Sequence, residues 1–164
     1  MVPRHLTFFF LCVRATGLAC TWPFIASAAS ISGNTILNPG LAAGLQACDI
    51  DYVGRLSMLH VHGDADTLVP WDNPGAAGRA FPTIPEDAAA WARRNKCVSG
   101  PVRTLNITSF TNEVWNDCAG GAYHSVELVR NHGGGHVYPM DPTKVFMTTD
   151  YILEFFEKHS PNGF

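Results

Sequence analysis

Hydrophobic residues occur in short runs that glycine, proline and polar residues interrupt. The run "RLSMLHVHG" (55–63) is compact, mostly apolar and ends at a glycine, which is typical of a buried parallel strand. The stretch "LACTWPFIASAASISG" (18–33) indicates the end of a helix, a turn at Pro23 and a strand of small residues that closes at Gly33. Residues 34–54, which contain three glycines and one proline, are predicted to be mostly loop.

Capping residues and apolar periodicity predict two helices. Thr83 and Glu86 have the spacing of a capping box and precede good helix formers, so a helix is predicted over about 85–95. Near the end of the chain, Asp141 is the expected N-cap and Pro142 the first residue of a closing helix. The apolar positions predicted to face the core are Ala88, Trp91 and Ala92 in the first helix, and Val145, Tyr151, Ile152, Phe155 and Phe156 in the second.

The segment "HSVELVRNH" (124–132) is bounded by glycines and predicts another strand. The alternation of strands, loops and helices favours an α/β fold with a parallel sheet flanked by helices. The polar loops 63–74 and 132–140 both leave the carboxyl ends of strands, so they should meet at one edge of the sheet. Ligands of such sheets bind at that edge.

Composition narrows the class of protein. The chain has 164 residues, 46% of them hydrophobic, and shows no internal repeat or linker, so it reads as one domain with a substantial core. Its net charge is -3 and it lacks a run of Lys or Arg, which argues against a nucleic-acid surface or a polybasic membrane surface. Small, weakly charged partners are expected.

The five cysteines include no C-x-x-C pair, so neither a zinc ribbon nor a thioredoxin-type motif is indicated. Cys97 and Cys118 each follow a Trp and a short polar stretch that should end neighbouring elements, and we predict a disulfide between them. Reduced cysteines packed in the core are the alternative.

The first twenty residues contain Arg4 and an apolar run that is similar to a short signal peptide but is too short to span a bilayer. Arg14 interrupts this pattern, and the small-residue stretch that would hold a cleavage site comes late. A signal peptide is therefore the less favoured interpretation.

The stretch "NHGGGHVYP" (131–139) places three glycines directly before a histidine. Glycines weaken regular elements, so such a run suits a loop that passes close to another group or brings a side chain into a site. A plain turn closed by Pro139 is the alternative. The other polar loop offers Asp64, Asp66 and Asp72. An Asp that accepts from one imidazole nitrogen leaves the other nitrogen able to take a proton from a nucleophile.

At these two loops the chain resembles a known family. "LHVHGDADTLVPWDN" looks like the acid segment, and "GGGHVYP" like the histidine segment, of the polyhydroxybutyrate depolymerase and feruloyl esterase group of α/β hydrolases. "WARRNKC" and the closing "FF" helix fit in the same order, so the resemblance covers residues 18–158 and leaves 1–17 unmatched.

The resemblance implies a secreted serine hydrolase that acts on a small-molecule or polymeric carboxylic ester, without a metal or another cofactor. Asp66 would be the triad acid and His136 the general base. Asp64 competes for the acid role, because it lies two residues earlier on the same alternating stretch. Four other histidines are expected to be structural or on the surface: His60, His62, His124 and His132.

One part of the family pattern is missing. The nucleophile of this family lies in a G-x-S-x-G elbow, and the chain contains no such pentapeptide. The resemblance would place the serine near Phe9, which cannot act as a nucleophile. The expected structure is therefore a partial α/β-hydrolase fold over residues 18–164, without the elbow, its strand or the earlier oxyanion loop.

Two other functions remain open. A degenerate hydrolase fold could serve as a non-catalytic binding protein that associates through an exposed sheet edge. The alternation "HVHGDAD" could instead supply His60, His62, Asp64 and Asp66 to a metal ion, although buried strands commonly accommodate such histidines.

Overall fold

The computed structural model describes residues 6–11, 14–21, 25–35, 56–72, 82–140 and 146–159. Within these ranges the chain forms one sheet and three helices, and most of the loop predicted over 34–54 lies outside them. The strands are β1 (Leu6–Leu11), β2 (Ile25–Ile31), β3 (Ser57–Gly63), β4 (Ser99–Asn106), β5 (Phe110–Asn116) and β6 (Val126–Asn131), and the helices are α1 (Arg14–Thr21), α2 (Ile84–Arg94) and α3 (Thr148–Lys158).

The α/β class is confirmed, but the prediction of a purely parallel sheet was wrong. The six strands lie in the order β1-β2-β3-β6-β5-β4. Strands β1, β2, β3 and β6 are parallel, whereas β5 pairs antiparallel with both β6 and β4. The sequence analysis missed the β4–β5 hairpin. Its connection, residues 107–109, is far too short for the crossover that parallel neighbours require.

A strand also precedes α1, where no strand was expected. Strand β1 pairs in parallel with β2, with Thr7 opposite Ser27 and Leu11 opposite Ile31. The prediction that this part of the sheet would be absent was therefore wrong. The run "LTFFFL" suits a strand because aromatic residues and leucine pack well on a pleated surface.

The core has two layers, one on each face of the sheet. One layer lies between the sheet and α2 and includes Met58 of β3 and Trp91 of α2, which are both fully buried. Leu59 and Val61 point to the opposite face, where Phe155 and Phe156 of α3 cover them. Alternate residues of β3 thus pack against different helices, as the period of two in a strand requires.

Helix α2 confirms its prediction. The Thr83 hydroxyl accepts a hydrogen bond from the backbone N–H of Glu86, and the Glu86 carboxylate accepts one from the backbone N–H of Thr83. The expected apolar positions of this helix are buried: Ala88, Trp91 and Ala92.

The closing helix was predicted to begin at Pro142 with Asp141 as its N-cap, but α3 begins at Thr148, after an extended Met147, and Asp141 lies outside the described residues. The Thr148 hydroxyl donates to the carbonyl of Pro139 at 2.7 Å, so the helix begins where the chain is attached to the loop before it. Pro142 and Val145 lie outside the described residues. Ile152, Phe155 and Phe156 are buried as expected, and Tyr151 is half-buried.

The predicted disulfide between Cys97 and Cys118 is confirmed, with an S–S distance of 2.02 Å. It joins the end of α2 to the segment after β5, and Cys20 is disulfide-bonded as well. Among the described helices, none has the length and apolar character needed to cross a bilayer.

Candidate active site

The loops after β3 and β6 meet at the carboxyl edge of the sheet, as predicted. The two strands are parallel neighbours that end in step, with Gly63 opposite Asn131. The backbone N–H of Asp64 donates to the carbonyl of Asn131 at 3.0 Å, and that of Ala65 donates to the carbonyl of Gly134 at 2.9 Å. The acid loop and the histidine loop are thus joined by backbone hydrogen bonds.

Two glycines of these loops are explained by the structure, one by close approach and the other by its backbone conformation. A Cβ added to Gly63 would lie 2.1 Å from the carbonyl oxygen of Gly134, a distance that real Cβ atoms do not show. Gly133 has a φ of 70°, in the left-handed region that favours glycine. The glycine run therefore permits a tight reversal between β6 and His136, and the alternative of a plain turn does not explain the contact with Gly63.

Asp66 and His136 form the expected hydrogen bond. The Nδ1 atom of His136 lies 2.8 Å from Oδ2 of Asp66. The other carboxylate oxygen accepts from the backbone N–H groups of Leu68 and Val69, at 2.8 and 2.9 Å. The Asp66 side chain is fully buried, whereas that of His136 is 38% exposed. An ionised carboxylate only accepts, so Nδ1 carries the proton and Nε2 has a free lone pair.

The second imidazole beside Asp66 belongs to His62, which the sequence analysis placed among the structural histidines. Its Nε2 lies 2.8 Å from the carbonyl oxygen of Val69 and 3.2 Å from Oδ2 of Asp66. Burial lowers the pKa of His62 and outweighs the raising effects of the Val69 carbonyl and the Asp66 charge. His62 is therefore neutral at neutral pH.

Asp64, the competing acid, belongs to a separate cluster. Its Oδ2 accepts from Nε of Arg130 at 2.9 Å and lies 3.1 Å from Nδ1 of His132. Its Oδ1 accepts from the backbone N–H of Gly133 at 2.6 Å. Burial would raise the pKa of Asp64, but these donors outweigh it and lower the pKa. Asp64 therefore holds the turn of the histidine loop and does not contact His136.

The metal-site alternative gains no support from the described part of the chain, where no group of three or more His, Cys, Asp or Glu side chains is arranged to hold a metal ion. His60 is fully buried, and neither of its ring nitrogens has a partner among the described residues. Burial lowers its pKa, which keeps it neutral. His62 and Asp64 contact different partners, so the four residues do not converge.

Among the described residues, no serine hydroxyl is hydrogen-bonded to His136. The Ser32 hydroxyl instead donates to the carbonyl of Val137, the residue after His136, at 3.0 Å, and Ser32 itself is buried. Ser32 directly follows β2 and has a φ of 51°, a left-handed conformation. Phe9 lies within β1, two residues before the end of that strand.

Arg130 and Trp71 also belong to this edge, although the sequence patterns did not predict them there. The Arg130 guanidinium lies over the Trp71 ring, 4.9 Å from its centroid, while its Nε binds Asp64. Alternation along β6 places Arg130 on the same face as Leu128, which packs with Trp71. That alternation was the available signal, but it does not reveal which carboxylate an arginine binds.

The chain was compared with models of protein families and with curated proteins, and neither comparison finds a match. A catalytic role for the site therefore depends on its geometry and on the resemblance of its two loops to the acid and histidine segments of the esterase group.

Proposed function

We propose that the chain carries the acid and base residues of a serine carboxylic-ester hydrolase, on a C-terminal part of an α/β-hydrolase fold that lacks its nucleophile. The observation that carries this proposal is the 2.8 Å hydrogen bond between Asp66 and His136. The order acid then base along the chain, on loops after adjacent parallel strands, is the order of α/β hydrolases.

The geometry supports a role for each residue of the pair. Asp66 fixes the ring of His136 with Nδ1 protonated, so that Nε2 can accept the proton of a serine hydroxyl as the serine attacks an ester carbonyl. The imidazolium that forms is stabilised by the buried carboxylate. It then gives the proton to the departing alcohol, and a water molecule repeats the cycle on the acyl-enzyme.

Exposed apolar residues flank both members of the pair. Leu68 follows Asp66 in the acid loop and is 67% exposed, and Val137 and Met140, after His136, are 61% and 79% exposed. Scattered apolar residues are normal on a surface, but three on the two loops of one site support an uncharged, apolar ester as the substrate.

The position of β1 supports a specific place for the missing elbow. In an elbow the nucleophile lies at the turn between a strand and a helix. In this chain β1 ends at Leu11 and α1 begins at Arg14. Strand β1 pairs with β2 in the parallel part of the sheet. An elbow would therefore belong between β1 and α1, slightly later than Phe9, where residues 12 and 13 lie outside the described ranges.

The decisive experiment restores the nucleophile. Residues 6–21 are replaced by a strand, a G-x-S-x-G turn and a helix of matching lengths, and the product is called the grafted chain below. We expect the grafted chain to hydrolyse a short-chain aryl ester with burst kinetics, and we expect a serine-directed phosphonate to label the new serine.

The matched control carries alanine in place of the new serine and should be inactive and unlabelled. The original chain should hydrolyse the ester no faster than its His136→Ala variant, because an imidazole without a serine has no nucleophile to activate. A folded grafted chain whose activity survives His136→Ala would contradict the proposal, and so would phosphonate labelling of Ser32 in the original chain.

A further inference from the structure

A second histidine shares the carboxylate oxygen that binds His136. His62 lies in β3, four residues before Asp66, and its side chain is 1% exposed. Its Nε2 is 3.2 Å from Oδ2 of Asp66, and Nδ1 of His136 is 2.8 Å from the same oxygen. Both imidazoles thus lie next to the same oxygen, that of His62 from strand β3 and that of His136 from the loop after β6.

The protonation of His62 follows from its contacts. Nε2 lies 2.8 Å from the carbonyl oxygen of Val69, which can only accept a hydrogen bond, so Nε2 carries the proton. Nδ1 is buried and has no partner among the residues that the structure describes. The single N–H therefore donates to the Val69 carbonyl, and Oδ2 of Asp66 lies 3.2 Å from the same nitrogen.

These contacts determine what His62 can do. The backbone N–H groups of Leu68 and Val69 hold Oδ1 of Asp66, and the turn that presents them is tied to β3 by the bond from His62 to the Val69 carbonyl. Among the described residues, the turn is otherwise held by backbone hydrogen bonds and by the packing of Val69 and Trp71 against Leu128, and not by another side-chain hydrogen bond from β3. The His62 ring also occupies one side of Oδ2, 3.2 Å away.

We propose that His62 is a positioning residue, which fixes the Asp66 carboxylate in the orientation that binds His136. This inference rests on the proposed function for its catalytic meaning, but its physical claim concerns only the Asp66–His136 hydrogen bond. Buried groups that fix the orientation of a site residue commonly determine how well the site is held.

The test observes the hydrogen bond directly, in the original chain. With ¹⁵N-labelled histidine, NMR follows the Nδ1–H proton of His136, whose exchange with solvent slows while it is bonded to Asp66. In His62→Leu, which has no donor, we expect this proton to exchange about tenfold faster, as expected when a charge-assisted hydrogen bond is weakened. His62→Gln places an N–H near the position of Nε2 and should restore slow exchange.

His60 provides the matched control. It is as buried as His62 and lies two residues earlier on the same face of β3, but its nitrogens bind no described residue. His60→Leu should leave the exchange of the His136 proton unchanged. His62→Phe is a second donor-free variant that keeps an aromatic ring, in case His62→Leu does not fold.

Three results would overturn the inference: unchanged exchange in both donor-free variants, faster exchange of equal size in His60→Leu, or failure of His62→Gln to restore slow exchange. None of these measurements depends on a nucleophile. An inactive grafted chain with a normal His62 result would therefore count against the proposed function alone.

Discussion

Two aspartate–histidine pairs lie side by side at the carboxyl edge of this sheet. Asp64 pairs with His132 at 3.1 Å, and Asp66 pairs with His136 at 2.8 Å. The histidines are similarly exposed, at 33% and 38%, so solvent access does not distinguish the pairs. The difference lies in what else each carboxylate binds.

Asp64 also binds the guanidinium of Arg130, so its charge is already compensated by a permanent cation. Asp66 receives hydrogen bonds from two backbone N–H groups and faces the neutral His62, and no Lys or Arg pairs with it among the described residues. A carboxylate without a permanent cation can stabilise an imidazolium as it forms. The comparison therefore supports the catalytic role proposed for Asp66 and His136 and favours a structural role for Asp64 and His132.

The largest expected difference between the pairs is in activity. In the grafted chain, Asp66→Asn and His136→Ala should each lower kcat/KM roughly a thousandfold to ten-thousandfold, because the base loses its orientation or is removed. Asp64→Asn and His132→Asn should lower it by less than about tenfold, since they only loosen the loop. Steady-state kinetics on folded variants measures this. A loss as large for Asp64→Asn as for Asp66→Asn would refute the division of roles.

Stability should show the reverse order. Asp64→Ala should destabilise the original chain by about 2 kcal/mol, because it leaves the Gly133 N–H and the Arg130 guanidinium without their acceptor. Asp66→Asn keeps an oxygen that can accept from the Leu68 and Val69 N–H groups. It should therefore lower the free energy of unfolding by less than about 1.5 kcal/mol.

Urea denaturation measures both changes in the free energy of unfolding. Asp72→Ala is the control: Asp72 is exposed and hydrogen-bonds no other described residue, so its removal should change stability by less than about 0.5 kcal/mol. If Asp66→Asn proved more destabilising than Asp64→Ala, the structural role given to Asp64 would be wrong.

A smaller effect is expected from pH. Because its hydrogen bonds lower the pKa of Asp64 in the folded chain, Asp64 stabilises the fold fully above its ordinary pKa, near 4. This contribution is lost as the pH falls through the lower folded value. The difference in unfolding free energy between the original chain and Asp64→Asn should therefore shrink between pH 7 and pH 3. A difference that stayed constant or grew would show that the charge of Asp64 does not contribute.

Local patterns in the sequence predicted much of the fold and the candidate pair. The capping box at Thr83 and Glu86 determined where α2 begins, because the residues that satisfy the first N–H groups of a helix lie within one turn of it. The apolar run of β3 identified a buried strand. Asp66 and His136 could be named from their motifs, because loops after adjacent parallel strands meet at one edge.

Some features were missed although the chain contained a signal. The alternation in "FTNEVWN" is that of the half-buried strand β5, and the short connection 107–109 is that of a hairpin. The run in β1 was assigned to an unmatched N-terminal segment, although its composition suits a strand.

By itself, the sequence determined the elements with strong local signals and the two loops whose side chains meet at the sheet edge. Only the tertiary structure decided which aspartate binds which histidine. Asp64 and Asp66 lie on one alternating stretch, and what distinguishes them is their contacts with residues 66 to 70 positions later in the chain. It also placed the His62 ring beside the Asp66 carboxylate and the Arg130 guanidinium against the Asp64 carboxylate. Such partners are selected by packing in three dimensions, where the turn at Val69 and the reversal at Gly133 direct the donors, and no spacing along the chain encodes those directions.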